Sequence, residues 1–112
     1  MRRLIAVLGL VTWVSLAGPA PAADAPPEIP LVIEKNIFQP DEIVVKAGQP
    51  FVIVITNRDG GAEEFESKAL RIEKVIPAGK TIRLRTPALK AGTYGFVGEY
   101  HEATAKGRIV AK

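Results

Sequence analysis

The chain has 112 residues, room for one domain and not two, with 15 Lys+Arg against 12 Asp+Glu and a formal net charge of +3. It contains no Cys, one Met, one Trp and one His. Those counts exclude disulfides, thiolate nucleophiles, cysteine-ligated zinc, iron–sulfur clusters and any multi-histidine metal site within one chain; nor does any stretch match a P-loop or a GxGxxG turn.

Met1-Arg2-Arg3 is a short basic start, and Leu4 to Leu16 then runs almost wholly apolar. Ala20-Pro21-Ala22 places small residues at the two positions a signal peptidase reads. This layout predicts a secretory signal over residues 1–22, cleaved after Ala22. The apolar run is too short for a membrane anchor, since a spanning helix needs about 20 residues. The mature chain is therefore expected in the periplasm, with no membrane span. Loss of Arg2 and Arg3 leaves 13 basic against 12 acidic residues, a net +1. Charge then gives no reason to expect nucleic acid or an anionic membrane as partner. Residues 23–30, rich in Pro and Ala, read as a flexible leader.

From Leu31 onward the apolar pattern has period two. Ile43 and Val45, then Phe51, Ile53 and Ile55, then Ile82 and Leu84, then Tyr94 and Phe96 fall on alternating positions. Turn-forming groups separate the runs, among them Gln39-Pro40-Asp41, Asn57-Arg58-Asp59-Gly60-Gly61 and Pro77-Ala78-Gly79. The pattern predicts an all-β sandwich or barrel of seven or eight strands, near residues 31–36, 42–46, 51–57, 63–67, 70–76, 80–86, 92–98 and 107–111. Residues 62–74, with Glu, Lys, Ala and Leu, could also hold a helical turn.

Three pieces of the chain carry a resemblance. They are Phe38-Gln-Pro-Asp-Glu-Ile-Val-Val-Lys-Ala-Gly48, Val54-Ile-Thr-Asn57-Arg-Asp59, and the run from Ala91 through Tyr94, Phe96, Gly98, His101 and Ile109 to Val110. They resemble the opening of cupredoxins, the Asn and Asp that precede their first ligand loop, and their closing G-x-Y-x-F-x-C-x-x-H-x-x-M-x-G-x-I-x-V segment. The resemblance implies a cupredoxin-like Greek-key β-sandwich over residues 31–112. Laid on that pattern, Gly98 stands at the cysteine position, Thr104 at the methionine and Glu63 at the first histidine. Only His101 of four copper ligands remains. Type 1 copper depends on a thiolate, so this chain is not a blue copper protein.

The phrases Glu63-Glu64-Phe65-Glu66 and Ile72-Glu73-Lys74-Val75-Ile76-Pro77-Ala78-Gly79 resemble the EfeO-type cupredoxin-like domain. A stand-alone periplasmic subunit of this type belongs to ferrous iron uptake systems with an Ftr-type permease. The resemblance implies a metal-binding accessory protein, handling iron, or a copper ion, through carboxylates. Its partners would be the inner-membrane iron permease and the other periplasmic components. A ferroxidase role stays open at this point. The alternative is a metal-free cupredoxin-like interaction module.

The residues themselves give the candidate set. Glu63 shares strand parity with Phe65, so its carboxylate faces inward, where it needs a metal or a partner such as Arg71 or Lys68. Glu64 and Glu66 share the other face. Gly98 either leaves a ligand-sized space or lets the strand turn. Glu99 and His101 share a side if the backbone stays extended, and Glu102 follows. Carboxylates with imidazole suit iron(II), manganese, copper(II) or zinc. The candidate ligands are Glu63, Glu66, Glu99, His101 and Glu102, with Glu73 as an outlying one. Glu73 otherwise pairs with a Lys or Arg across strands. Tyr100 either borders the site or packs in its loop. Lys80, Arg83, Arg85 and Lys90 read as a solvated face, and Asn57 with Asp59 as an Asx-type turn.

Overall fold

The computed structural model describes residues 2, 4–16, 18 and 25–112. The expected cleavage site at Ala20-Pro21-Ala22 and the first two leader residues lie outside them. Residues 4–16 are exposed and carry no regular secondary structure. Among the described residues no helix is long and apolar enough to cross a membrane.

Nine strands and one 3-10 turn form among the described residues: β1 (Glu28–Glu34), β2 (Ile37–Gln39), β3 (Glu42–Val45), β4 (Phe51–Asn57), β5 (Glu63–Ser67), β6 (Ile72–Ile76), β7 (Thr81–Thr86), β8 (Gly92–Gly98), the 3-10 turn Glu99–His101, and β9 (Lys106–Ala111). One sheet has the order β2-β1-β4-β7 and the other β3-β9-β8-β5-β6. Two pairings, β1 with β4 and β3 with β9, are parallel. Both join strands far apart in sequence, so crossovers and not a simple meander build the sandwich.

The period-two pattern does what it predicts. Ile43 and Val45, Ile53 and Ile55, and Phe96 turn inward and are buried. β4 is buried on both faces at its start, where Phe51, Val52 and Ile53 are all enclosed, which suits a central strand flanked by β1 and β7. Three phenylalanines join the sheets. Phe38 meets Phe96 edge-on with centroids 5.1 Å apart, and Phe65 stacks on Phe96 at 4.9 Å.

The structure departs from the sequence reading in three places. First, β1 begins at Glu28, so Glu28-Ile29-Pro30 is strand and not leader, paired with Val52–Val54 of β4. Proline is tolerated there because β2 pairs only with Val32–Glu34, which leaves Pro30 on an open edge. Second, the chain reverses at Lys35 and Asn36 to form β2. Both residues are left-handed, with φ of 53° and 59°, as a two-residue hairpin requires. Asp59 holds that reversal from outside, accepting from Lys35 N at 2.7 Å and Asn36 N at 3.0 Å. Third, residues 62–74 contain no helical turn. Arg71 adopts φ of 56°, and Leu70 N donates to Ser67 Oγ at 3.3 Å, so a tight turn joins β5 to β6.

The Asx turn is present as expected, with Asp59 N donating to Asn57 Oδ1 at 2.9 Å. The fully buried Asn57 also donates from Nδ2 to the carbonyls of Gly61 and Ile76, at 2.9 and 3.0 Å. It thereby ties β4 to β6 and fixes the loop that launches β5. β5 and β8 pair only at Phe65 with Gly98 and Glu66 with Val97. Where that pairing ends, the 3-10 turn crosses the start of β5, and the candidate site lies there.

Candidate metal centre

Glu63 starts β5 on the inward face, as its parity with Phe65 predicts, and is 2% exposed. A buried carboxylate is costly unless its lone pairs are satisfied. Here three donors do so. Oε1 accepts from Glu64 N at 3.0 Å and from Tyr100 N at 3.0 Å, while Oε2 lies 2.5 Å from His101 Nδ1. The partner of Glu63 is therefore His101, and not Arg71 or Lys68. The pair pins the 3-10 turn to the strand, because two of the three donors belong to that turn. With Nδ1 engaged, Nε2 is the ring nitrogen left for a ligand.

Gly98 is explained by the same carboxylate. A Cβ at Gly98 would stand 2.6 Å from Glu63 Cδ, 2.9 Å from Glu63 Oε1 and 2.7 Å from Ala105 Cβ. The ligand-sized space considered beside Gly98 is thus filled by Glu63. Glycine is needed for close approach, not for turning the strand.

A second group forms on the opposite, outward face of the same sheet. One carboxylate oxygen each from Glu64, Glu66, Glu73 and Glu99 lies within 4.8 Å of the others. Strand pairing builds it. Glu64 and Glu66 are alternate residues of β5, Glu73 of β6 sits directly opposite Glu66, and Glu99 comes from the 3-10 turn. Glu66 is only 8% exposed. None of the four takes part in an ion pair among the described residues. Their mutual repulsion shows in Glu99, whose carboxyl is pushed up to about 7. The main cause is hydrogen bonding and charge repulsion from Glu64, followed by the charge of Glu66. Burial, then Glu64, holds the Tyr100 phenol above its usual range.

The candidate ligands read from the sequence therefore divide between two faces. Glu63 and His101 meet inside. Glu66, Glu99 and Glu73 meet outside, and the cross-strand neighbour of Glu73 is a carboxylate, not the expected Lys or Arg. The division has a simple cause. Glu99 and His101 share a side only on an extended backbone, and here they lie on a 3-10 turn, where residues two apart diverge. Glu102 joins neither group and lines a neighbouring groove. Glu64 lies outside the sequence-derived candidate set, and its shared parity with Glu66 is the sequence signal for it. Tyr100 contributes its backbone N–H, while its side chain is half-exposed. Lys80, Arg83, Arg85 and Lys90 are exposed, and Arg83 pairs with Glu28.

The residues do not fit a type 1 copper ion. The position of the thiolate is Gly98, its side-chain volume is taken by Glu63, and the chain has no Cys to supply the bond. The outer group is a different donor set: four oxygens and no sulfur, suited to hard divalent ions.

Comparison with known proteins agrees with this architecture. A cupredoxin-like domain family matches residues 4–111. The Rickettsia prowazekii (strain Madrid E) protein RP394 is 32% identical over 93 residues, which cover 83% of this chain and 74% of that protein. Auracyanin A, a blue copper protein of Chloroflexus aurantiacus, superposes with a TM-score of 0.67 at 17% identity, covering 79% of this chain and all of its own. The metal-binding domain of the Streptococcus pneumoniae Cu(I)-exporting ATPase CopA gives 0.65 at 18% identity, over 76% of this chain and 84% of that domain. The two-sheet sandwich and the family match lead to one conclusion: this chain belongs to the cupredoxin-like domain family.

Proposed function

We propose that this protein is a periplasmic metal-binding accessory protein of a ferrous iron uptake system, holding iron on the outer carboxylate group. The observation that carries the reading is the convergence of Glu64, Glu66, Glu73 and Glu99, none of which forms an ion pair with a Lys or Arg among the described residues. Four carboxylates within 4.8 Å repel one another, and a divalent ion turns that repulsion into coordination. Carboxylate oxygens hold iron(III) more tightly than iron(II) and so lower the potential of bound iron. An oxidation would need an electron acceptor outside this chain, either O₂ or a copper-bearing partner. The EfeO-type reading rests on the phrases around Glu63 and Glu73 and on the carboxylates standing near the lost copper site. It makes an inner-membrane iron permease the partner that receives the metal. Export rests on the signal-like residues 1–22. An intact mass of periplasmic material starting at Ala23 supports it, and a mass retaining Trp13 refutes it.

The test is anaerobic calorimetric titration of the mature chain with Fe(II) and Mn(II). The expected result is saturable binding of one ion, lost in Glu66→Gln and Glu64→Gln and kept in Glu102→Gln. Binding to the folded state alone also stabilises it, by about 2.7 kcal/mol at a hundredfold excess over Kd. Absence of saturable binding in the wild type would leave the metal-free interaction module as the reading.

A further inference from the structure

A groove of about 730 Å³ opens beside the carboxylate group, and Glu66 is a wall of both. Its other polar lining is Lys68, Lys106 and Glu102. Its floor is bare at Gly95, where an added Cβ would meet nothing within 4 Å. The two lysines are exposed and form no ion pair among the described residues. A smaller hollow of about 310 Å³ also borders Glu66 and adds Arg71 to the same Lys68. Cations therefore gather around a carboxylate group without touching it.

We propose that the groove binds a small polycarboxylate, so that the protein takes its metal as a ternary complex of ion, carboxylate group and anionic chelator. This rests on the reading of Glu64, Glu66, Glu73 and Glu99 as the cation site. Three observations argue for it. A volume of this size suits a small organic ligand and far exceeds what an ion needs. Glu66 is more than nine-tenths buried and lines both the carboxylate group and the groove, so one ion at Glu66 is reachable from the groove side. The charges also balance in sequence. Four carboxylates around a divalent ion leave negative charge over, and an anionic chelator adds more; Lys68 and Lys106 offset it where the chelator would lie. Without the ion, the carboxylates repel an anion from the groove. Metal and chelator therefore bind cooperatively, and by linkage each raises the other's affinity by the same factor.

Equilibrium dialysis with radiolabelled citrate and Mn(II) tests the proposal, with Mn(II) chosen because it does not oxidise under these conditions. Wild type is expected to retain citrate with Mn(II) present and at least about fivefold less without it. Gly95→Val fills the groove floor without a left-handed backbone to strain it. It should keep Mn(II) retention in the absence of citrate and lose citrate retention. The double variant Lys68→Met/Lys106→Met should do the same by removing charge and not space. Citrate that merely strips Mn(II) from the wild type overturns the proposal and leaves the carboxylate site standing. Citrate retained equally without metal, or unaffected by both variants, also overturns it. Failure of the wild type to retain Mn(II) with citrate absent overturns the metal site along with it.

Discussion

Gly98→Ala places one methyl group where Glu63 now lies, and its cost can be worked from the distances. The new Cβ would stand 2.6 Å from Glu63 Cδ and 2.7 Å from Ala105 Cβ, far inside van der Waals contact. Neither neighbour can yield cheaply. Ala105 is fully buried, and the Glu63 carboxylate is held by Tyr100 N and His101 Nδ1. Overpacking alone costs about 1–3 kcal/mol. Pushing the carboxylate off a donor adds about 1–3 kcal/mol for the buried group left unpaired. Gly98→Ala should therefore destabilise by about 2–6 kcal/mol, a large part of the roughly 5–15 kcal/mol that holds a domain together. Urea denaturation of the protein measures it. The decisive comparison is a double-mutant cycle with Glu63→Ala. That change removes the carboxylate and leaves Ala105 as the remaining close contact. The cost of Gly98→Ala should fall in this background, giving a coupling of about 1 kcal/mol or more. Costs that add to within about 0.5 kcal/mol would refute the claim that Glu63 occupies the vanished cysteine's space.

Three further outcomes follow from the same geometry. Glu99 has a folded pKa of about 7 against an ordinary 4.5, so between those values the folded state holds more proton than the unfolded. Its contribution to stability is present at acid pH and is lost as pH rises through that window; urea midpoints measured across it should fall, and Glu99→Gln should flatten the slope. Thr86 is 2% exposed, and its Oγ1 has no hydrogen-bond partner among the described residues. Thr86→Val should leave stability unchanged or raise it by up to about 1 kcal/mol, and a loss in thermal melting would mean that the hydroxyl is satisfied after all. Copper(II) added to the protein should produce no intense thiolate-to-copper absorption, because the chain has no Cys to give one.

Much of the fold is a local property of this chain. Turn groups and a period-two apolar pattern together gave β4 and β8 their observed ends, since alternate side chains of a strand face opposite sides whatever their partner. The same rule placed Glu63 inside with Phe65, and Glu64 with Glu66 outside. The short strand β2 is not legible in the sequence because its turn depends on Lys35 and Asn36 accepting left-handed backbone under the cap of Asp59, more than 20 residues away. The site was legible as a collection of acids and one histidine, but not as an arrangement. Sequence spacing cannot show that the chain leaves β8 in a 3-10 turn, and that single change of backbone sends His101 inward to Glu63 while Glu99 goes outward to Glu64 and Glu66. Nor can it show that Glu73 lies opposite Glu66, because the register of β5 with β6 is set by the turn at Arg71 and the shared hydrophobic face. Sequence alone decided that no thiolate copper site exists, since that needs an atom the chain lacks. Only the tertiary structure decided what took its place, because the volume beside Gly98 belongs to residues 35 positions apart that meet through strand pairing.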